Sequence, residues 1–165
     1  MTITRGVIHI HSTPSALVQH IEWAVGSILG ATVRLEWSAQ PAEPGSYRAE
    51  LSWRAPVGTG AKLATAFNRW QRLRYEVTEE FSAQDEGHRW SVTPSLGIFH
   101  ASTGPHGDIM ISEDRIKAAL LAATLGHEPV QVGLARLLGQ PWDDELESFR
   151  HSDESGSVRW LNQVV

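Results

Sequence analysis

Three stretches in the first half of the chain alternate apolar and polar side chains: Val33-x-Leu35-x-Trp37, Tyr47-x-Ala49-x-Leu51-x-Trp53 and Leu73-x-Tyr75-x-Val77. A period of two puts successive apolar residues on one side of an extended chain, so each stretch predicts a half-buried strand. Val7 to His11 predicts another strand ahead of them. Between the strands the period changes. Leu17, Ile21, Ala24 and Ile28 recur at helical spacing, as do Leu63, Ala66, Phe67 and Trp70. Ser12 or Thr13 with Pro14 forms a start signal for the first helix, Gly30 its stop, and Thr59 a cap for the second. Residues 4–80 thus read βαββαβ, a ferredoxin-like half of an α+β fold. That topology predicts the strand order four, one, three, two, with both helices on one face.

The second half is less regular. Trp90 and Val92 suggest a short strand before Pro94, and Leu96–Ser102 with Asp108–Ile111 a hairpin. Ser112 opens a helix carrying Ile116, Ala119, Leu120 and Ala123. A helix over 129–138 stops at Gly139, and Pro141 starts one with Trp142, Leu146 and Phe149 on a single face. Ser152–Ser157 reads as a polar loop and Val158–Val165 as a last strand. The expectation is one α+β domain over 1–165, with residues 81–165 adding a hairpin and a helical extension.

Composition narrows the classes of function. With 41% apolar residues and seven Trp the chain can bury a core. It has no cysteine, which removes disulfides and thiolate metal sites. No apolar run reaches the roughly 20 residues of a membrane span. The N-terminus lacks a signal-peptide pattern, since His9 and His11 interrupt its apolar stretch, so a cytoplasmic location is expected. A net charge of −5 supplies no general basic surface for nucleic acid.

The predicted strands share a polar step. Arg34-x-Glu36, Arg48-x-Glu50 and Arg74-x-Glu76 should project from the sheet face opposite the helices, either as a ladder of ion pairs or as a floor for a polar ligand or partner. That face lacks the aromatic platform of an RNA-binding βαββαβ module, because Tyr47 and Trp53 alternate onto the core side. His9 and His11 lie two apart on the first strand and point to the charged side. Together with His100, His106 and Asp108 they could hold a divalent ion such as Zn²⁺ if their segments converged. Otherwise the strand histidines bond to neighbouring Glu side chains and His106 is a turn residue.

Other motifs carry less. Ser12 after His11 and Ser102 near His100 supply the letters of a nucleophile and base without their geometry, and there is no G-x-S-x-G elbow. Gly58-Thr59-Gly60-Ala61-Lys62 could bind an anion at a helix start but is not a P-loop, since Leu63 replaces the required hydroxyl. Asp143, Asp144, Glu145 and Glu147 suit the positive end of a helix. Trp142, Leu146 and Phe149 form a docking face for core or partner.

Six stretches carry a resemblance: Thr4-Arg5-Gly6-Val7, His20–Gly26, Leu96–Ala101, His106–Ile109, Leu137–Arg150 and Val158–Val165. In these the chain resembles an actinobacterial family known as domain of unknown function 3145. The resemblance implies an actinobacterial cytoplasmic protein and no particular activity. The leading expectation is a non-catalytic protein that binds a protein partner or small molecule, or assembles, including as a homodimer. The alternatives are a metal-dependent enzyme built on His9, His11, His100, His106 and Asp108, and, by analogy of fold alone, a small-molecule sensor.

Overall fold

The computed structural model describes residues 1–151. The expected loop at Ser152–Ser157 and strand at Val158–Val165 lie outside the described residues. The elements are β1 (Ile3–Pro14), a 3-10 turn (Ser15–Leu17), α1 (Val18–Leu29), β2 (Ser38–Ala39), β3 (Ser46–Pro56), α2 (Thr59–Asn68), β4 (Arg74–Glu79), β5 (Gly87–Thr93), β6 (Gly97–Thr103), β7 (Ile109–Met110), α3 (Glu113–Thr124), α4 (Val130–Leu137) and α5 (Gln140–Arg150). The class is α+β. Among the described residues the strands form one seven-stranded sheet in the order β2-β3-β1-β4-β5-β6-β7, with every pair antiparallel.

Alternation sorts the two faces. Ile8, Ile10, Trp53, Tyr75, Val77, Trp90 and Val92 point one way and form the main core with Ile21 and Val25 of α1 and Leu63, Ala64 and Phe67 of α2. The other face is covered from β1 to β6 by α5. There Leu146 is fully buried, and Trp142 packs on Phe99 and donates its indole N–H to the Gly97 carbonyl at 3.0 Å. The apolar stripe Trp142, Leu146, Phe149 therefore docks within the chain. The expected hairpin forms as β6 and β7, with β7 only two residues long.

Three local expectations are corrected. Val33–Trp37 is not a strand. Glu22, buried on α1, accepts the Leu35 N–H at 2.9 Å and the Trp37 indole N–H at 3.1 Å, so this segment is held along α1 and reaches β3 only at Ser38–Ala39. Arg34 and Glu36 therefore leave the charged sheet face, and Arg34 lies near Glu22 instead. Ser12 and Thr13 do not cap α1. A bulge near His11 carries β1 on to Pro14, where both are buried in the sheet, and α1 starts after Leu17 with no side-chain cap.

The third correction concerns α2. Its N-cap is Gly58, in the left-handed conformation at φ 91°, and not Thr59. The free N–H groups at this helix start are taken by Glu79 of β4. Its two carboxylate oxygens accept from Gly58 N at 2.8 Å and Gly60 N at 2.6 Å. The anion suggested by Gly58–Lys62 is thus the chain's own carboxylate.

Candidate functional site

The covered polar face gathers its charges around Glu76, which is 0% exposed. Alternation on β4 puts Glu76 opposite the face of Tyr75 and Val77, and sheet register sets it between His9 of β1 and Ser91 of β5. His11 Nε2 donates to Glu76 Oε2 at 2.7 Å, and Ser91 Oγ donates to Oε1 at 3.2 Å. Arg89 Nη2 lies 3.4 Å from Oε1. From α5, Arg150 forms a two-pronged bond, Nε to Oε2 at 3.1 Å and Nη2 to Oε1. Asp143, two turns earlier on α5, accepts from both Arg89 and Arg150 at 2.9 Å. Two carboxylates and two guanidiniums interlock across β4, β5 and α5.

Burial alone would raise the Glu76 carboxyl, but the hydrogen bond and charge of His11, with those of Arg150, hold it far below the usual carboxylate range. Burial likewise opposes the charge on Arg150, and Glu76 and Asp143 raise its pKa nevertheless. A general acid or base works best with a pKa near the operating pH. Glu76 is the opposite, a permanently ionised acceptor surrounded by donors. The cluster clasps α5 to the sheet.

His9 lies on the same face, its ring stacked on His11 with centroids 4.3 Å apart. Burial, then the neighbouring His11, lower its pKa from 6.5 to about 3, with Arg48 and Arg150 adding to the effect and Glu76 opposing it. A histidine buried neutral makes stability depend on pH. Between 6.5 and about 3 the unfolded chain binds a proton that the folded chain refuses, so stability is lost as pH falls through that window. Taking the pH from 6.5 to 5 should cost about 1.6 kcal/mol from this group. Urea unfolding of the wild type and of His9→Gln at both pH values checks this. The substituted chain should show a smaller loss by about that amount.

The remaining candidates disperse. Arg48 and Glu50 lie on β3, with Glu50 opposite His9 in register and 4.0 Å from its Nδ1. Arg74 reaches Glu43, Glu145 and the Ser12 hydroxyl, with its guanidinium over the Phe149 ring. His100 sits on the opposite sheet face from His9 and His11. It is 3.1 Å from His88 and stacked on Trp90, with its pKa lowered by burial and by His88 and Arg115. His106 and Asp108 lie exposed in the β6–β7 turn. The two His pairs and the turn are thus separate places. Among the described residues no group of three or more His, Asp or Glu is arranged to hold a metal ion.

The acidic run on α5 does more than complement a helix end. Asp143 joins the clasp, Glu145 accepts from Thr93 and Ser95 at 3.0 and 2.6 Å, and Glu147 pairs with His151. The sequence reading missed Arg89, Ser91 and Arg150. A signal existed for Arg150: Asp143, Leu146 and Arg150 recur at three- and four-residue spacing, so both charges flank the buried stripe of α5.

Among the described residues no helix is long and apolar enough to cross a membrane. No curated protein and no solved structure matches the chain. The family model described as protein of unknown function, DUF3145, matches residues 7–163, and the chain belongs to that family.

Proposed function

We propose that this chain is a non-catalytic binding or assembly protein of the actinobacterial cytoplasm, and that α3 with α4 carries its partner surface. The observation behind this reading is that α3 has no buried residue although it carries Ile116, Leu120 and Leu121. Ile116, Leu120, Leu121 and Leu125 are 36–59% exposed, and Val132 and Leu138, on and after the packed helix α4, are exposed as well. Ile116 with Leu120 and Leu121 with Leu125 stand four apart, and exposed apolar side chains grouped in this way mark interaction sites. The charges around them suit a protein partner better than a lipid surface. Glu113 and Asp114 balance Arg115 and Lys117, whereas a membrane-surface helix carries a basic polar face.

The covered part of the charged sheet face supports the non-catalytic half of the reading, since Glu76 and Asp143 there are bonded to Arg89 and Arg150. The metal-dependent alternative would need His9, His11, His100, His106 and Asp108 in one place, and the geometry lends it no support. The description of residues 4–80 as ferredoxin-like rests on the order β4-β1-β3-β2 and on α1 and α2 sharing one face; β2 is reduced to two residues.

Affinity capture from the source organism tests the proposal. Wild-type chain should retain a stoichiometric protein partner that Leu121→Lys with Leu125→Lys loses while keeping the wild-type unfolding midpoint. Wild type and variant recovering the same proteins, or neither recovering any, would overturn it.

A further inference from the structure

Among the described residues the outer edge of β3 is a second surface without a partner strand beyond Arg48, and we propose that it pairs with the same edge of a second copy of this chain. β3 pairs with β1 along Ser46–Pro56, but β2 covers only Tyr47 and Arg48 on the other side. The backbone direction can be read from its neighbours. Gln40 N donates outward-side to the Ser46 carbonyl, whereas Val57 N donates to Thr2 on the β1 side. Along an antiparallel strand these directions alternate, so Glu50, Ser52 and Arg54 turn their N–H and C=O groups to the outside. None of the three makes a backbone hydrogen bond on that side among the described residues. The segment that could have covered them is drawn to α1 by Glu22. All three side chains are exposed.

An open edge is a template for another strand. Its side chains select the register. A two-fold axis through Ser52 sets Glu50 opposite the second copy's Arg54, and Arg54 opposite its Glu50. Leu51 then faces Trp53 on the helix side, and Ala49 faces Ala55. Outward-facing residues must meet outward-facing residues, so the register moves only in steps of two. One step toward Arg48 sets Arg48 against Arg54. Two steps set Glu50 against itself. Three steps would pair Arg48 with Glu50, but β2 already occupies Arg48. The Glu-x-Ser-x-Arg order is therefore self-complementary at the open part of the strand. The resulting interface is isologous, so each favourable pair occurs twice. It joins two seven-stranded sheets into one.

The inference extends the assembly reading but uses a surface apart from α3–α4. Sedimentation velocity over a concentration series tests it. Wild type should reach twice the 18.2 kDa chain mass. Glu50→Arg should weaken the dimer by about tenfold or more, because both cross-strand pairs turn repulsive. Adding Arg54→Glu to it should restore association. Ser52→Pro should give a folded monomer, since the N–H it removes faces outward and an edge tolerates proline. Leu121→Lys with Leu125→Lys should leave the dimer intact, which separates this interface from the α3–α4 surface. A wild type that stays monomeric, or a dimer indifferent to both the charge exchange and Ser52→Pro, would overturn the proposal.

Discussion

Glu76→Ala should lower the stability of the folded chain by about 3–5 kcal/mol, the range for removing one partner from a buried ion pair and stranding the other. The reason lies in what remains. Arg150 and Arg89 are both largely buried and both turn toward Glu76, with Asp143 the remaining carboxylate beside them. His11 loses the acceptor 2.7 Å from its Nε2. The damage should be directional, because the clasp joins one helix to one sheet face. Trp142 and Leu146 should become more accessible as α5 loosens, while the core between the sheet and α1 and α2 persists. Chemical unfolding gives the energy, and limited proteolysis should cut first in α5. The conservative Glu76→Gln should also destabilise, since an amide cannot accept from four donor side chains without presenting its own N–H groups to them.

Gly6→Ala should be comparably costly, by about 3 kcal/mol or more, at the upper end of overpacking penalties. Gly6 sits in β1 opposite both Trp53 and Glu79. A Cβ there would lie 2.0 Å from the Thr78 backbone carbonyl and 2.2 Å from the Trp53 ring. The backbone carbonyl belongs to the neighbouring strand and cannot step aside without opening the sheet. The indole is buried and packed over Gly6. An alanine at Gly30 or Gly45, where among the described residues nothing beyond the chain neighbours lies within 4 Å of the added carbon, meets no such obstacle and answers only to its positive φ. Thermal unfolding of the three variants should rank Gly6→Ala well below the others.

The parts of the fold that were legible in the sequence were those in which one element dictates its own pattern. The alternation of Tyr75 and Val77 with Arg74 and Glu76 assigned two faces, and each residue lies on the face it predicted. The stripe Trp142, Leu146, Phe149 marked the face by which α5 docks. What escaped was set by distant partners. Val33, Leu35 and Trp37 alternate as a strand would, but Glu22 competes for the Leu35 N–H, and nothing in the local pattern announces that competitor. Ser12 and Thr13 carry the chemistry of helix caps, yet the bulge in β1 keeps them in the sheet. Gly58–Lys62 reads as an anion site because it is one, filled by a carboxylate from β4.

The same limit governs the candidate site. Alternation put His9 and His11 on the face of the strand Arg and Glu residues, and there His11 meets Glu76 with His9 stacked on it. It could not show that α5 would close over that face and bring Arg150 and Asp143 with it, because nothing local to either segment encodes the approach. His100, His106 and Asp108 were grouped with the strand histidines by residue type alone. The register of β5 and β6 puts His100 on the other side of the sheet.

On the function proposed above, Glu76 and its partners form a closed structural clasp and contact with partners falls to α3 and α4. Hydrogen exchange on the wild-type chain and on Glu76→Ala tests it most directly. In the wild type, α5 amides over Leu146–Arg150 should open only at free energies close to those of β1 and β4, and α3 amides over Glu113–Thr124 at much lower ones. In Glu76→Ala the α5 protection should collapse and the α3 protection should not change. If α5 exchanges as readily as α3 in the wild type, the clasp is not what holds it, and the account fails.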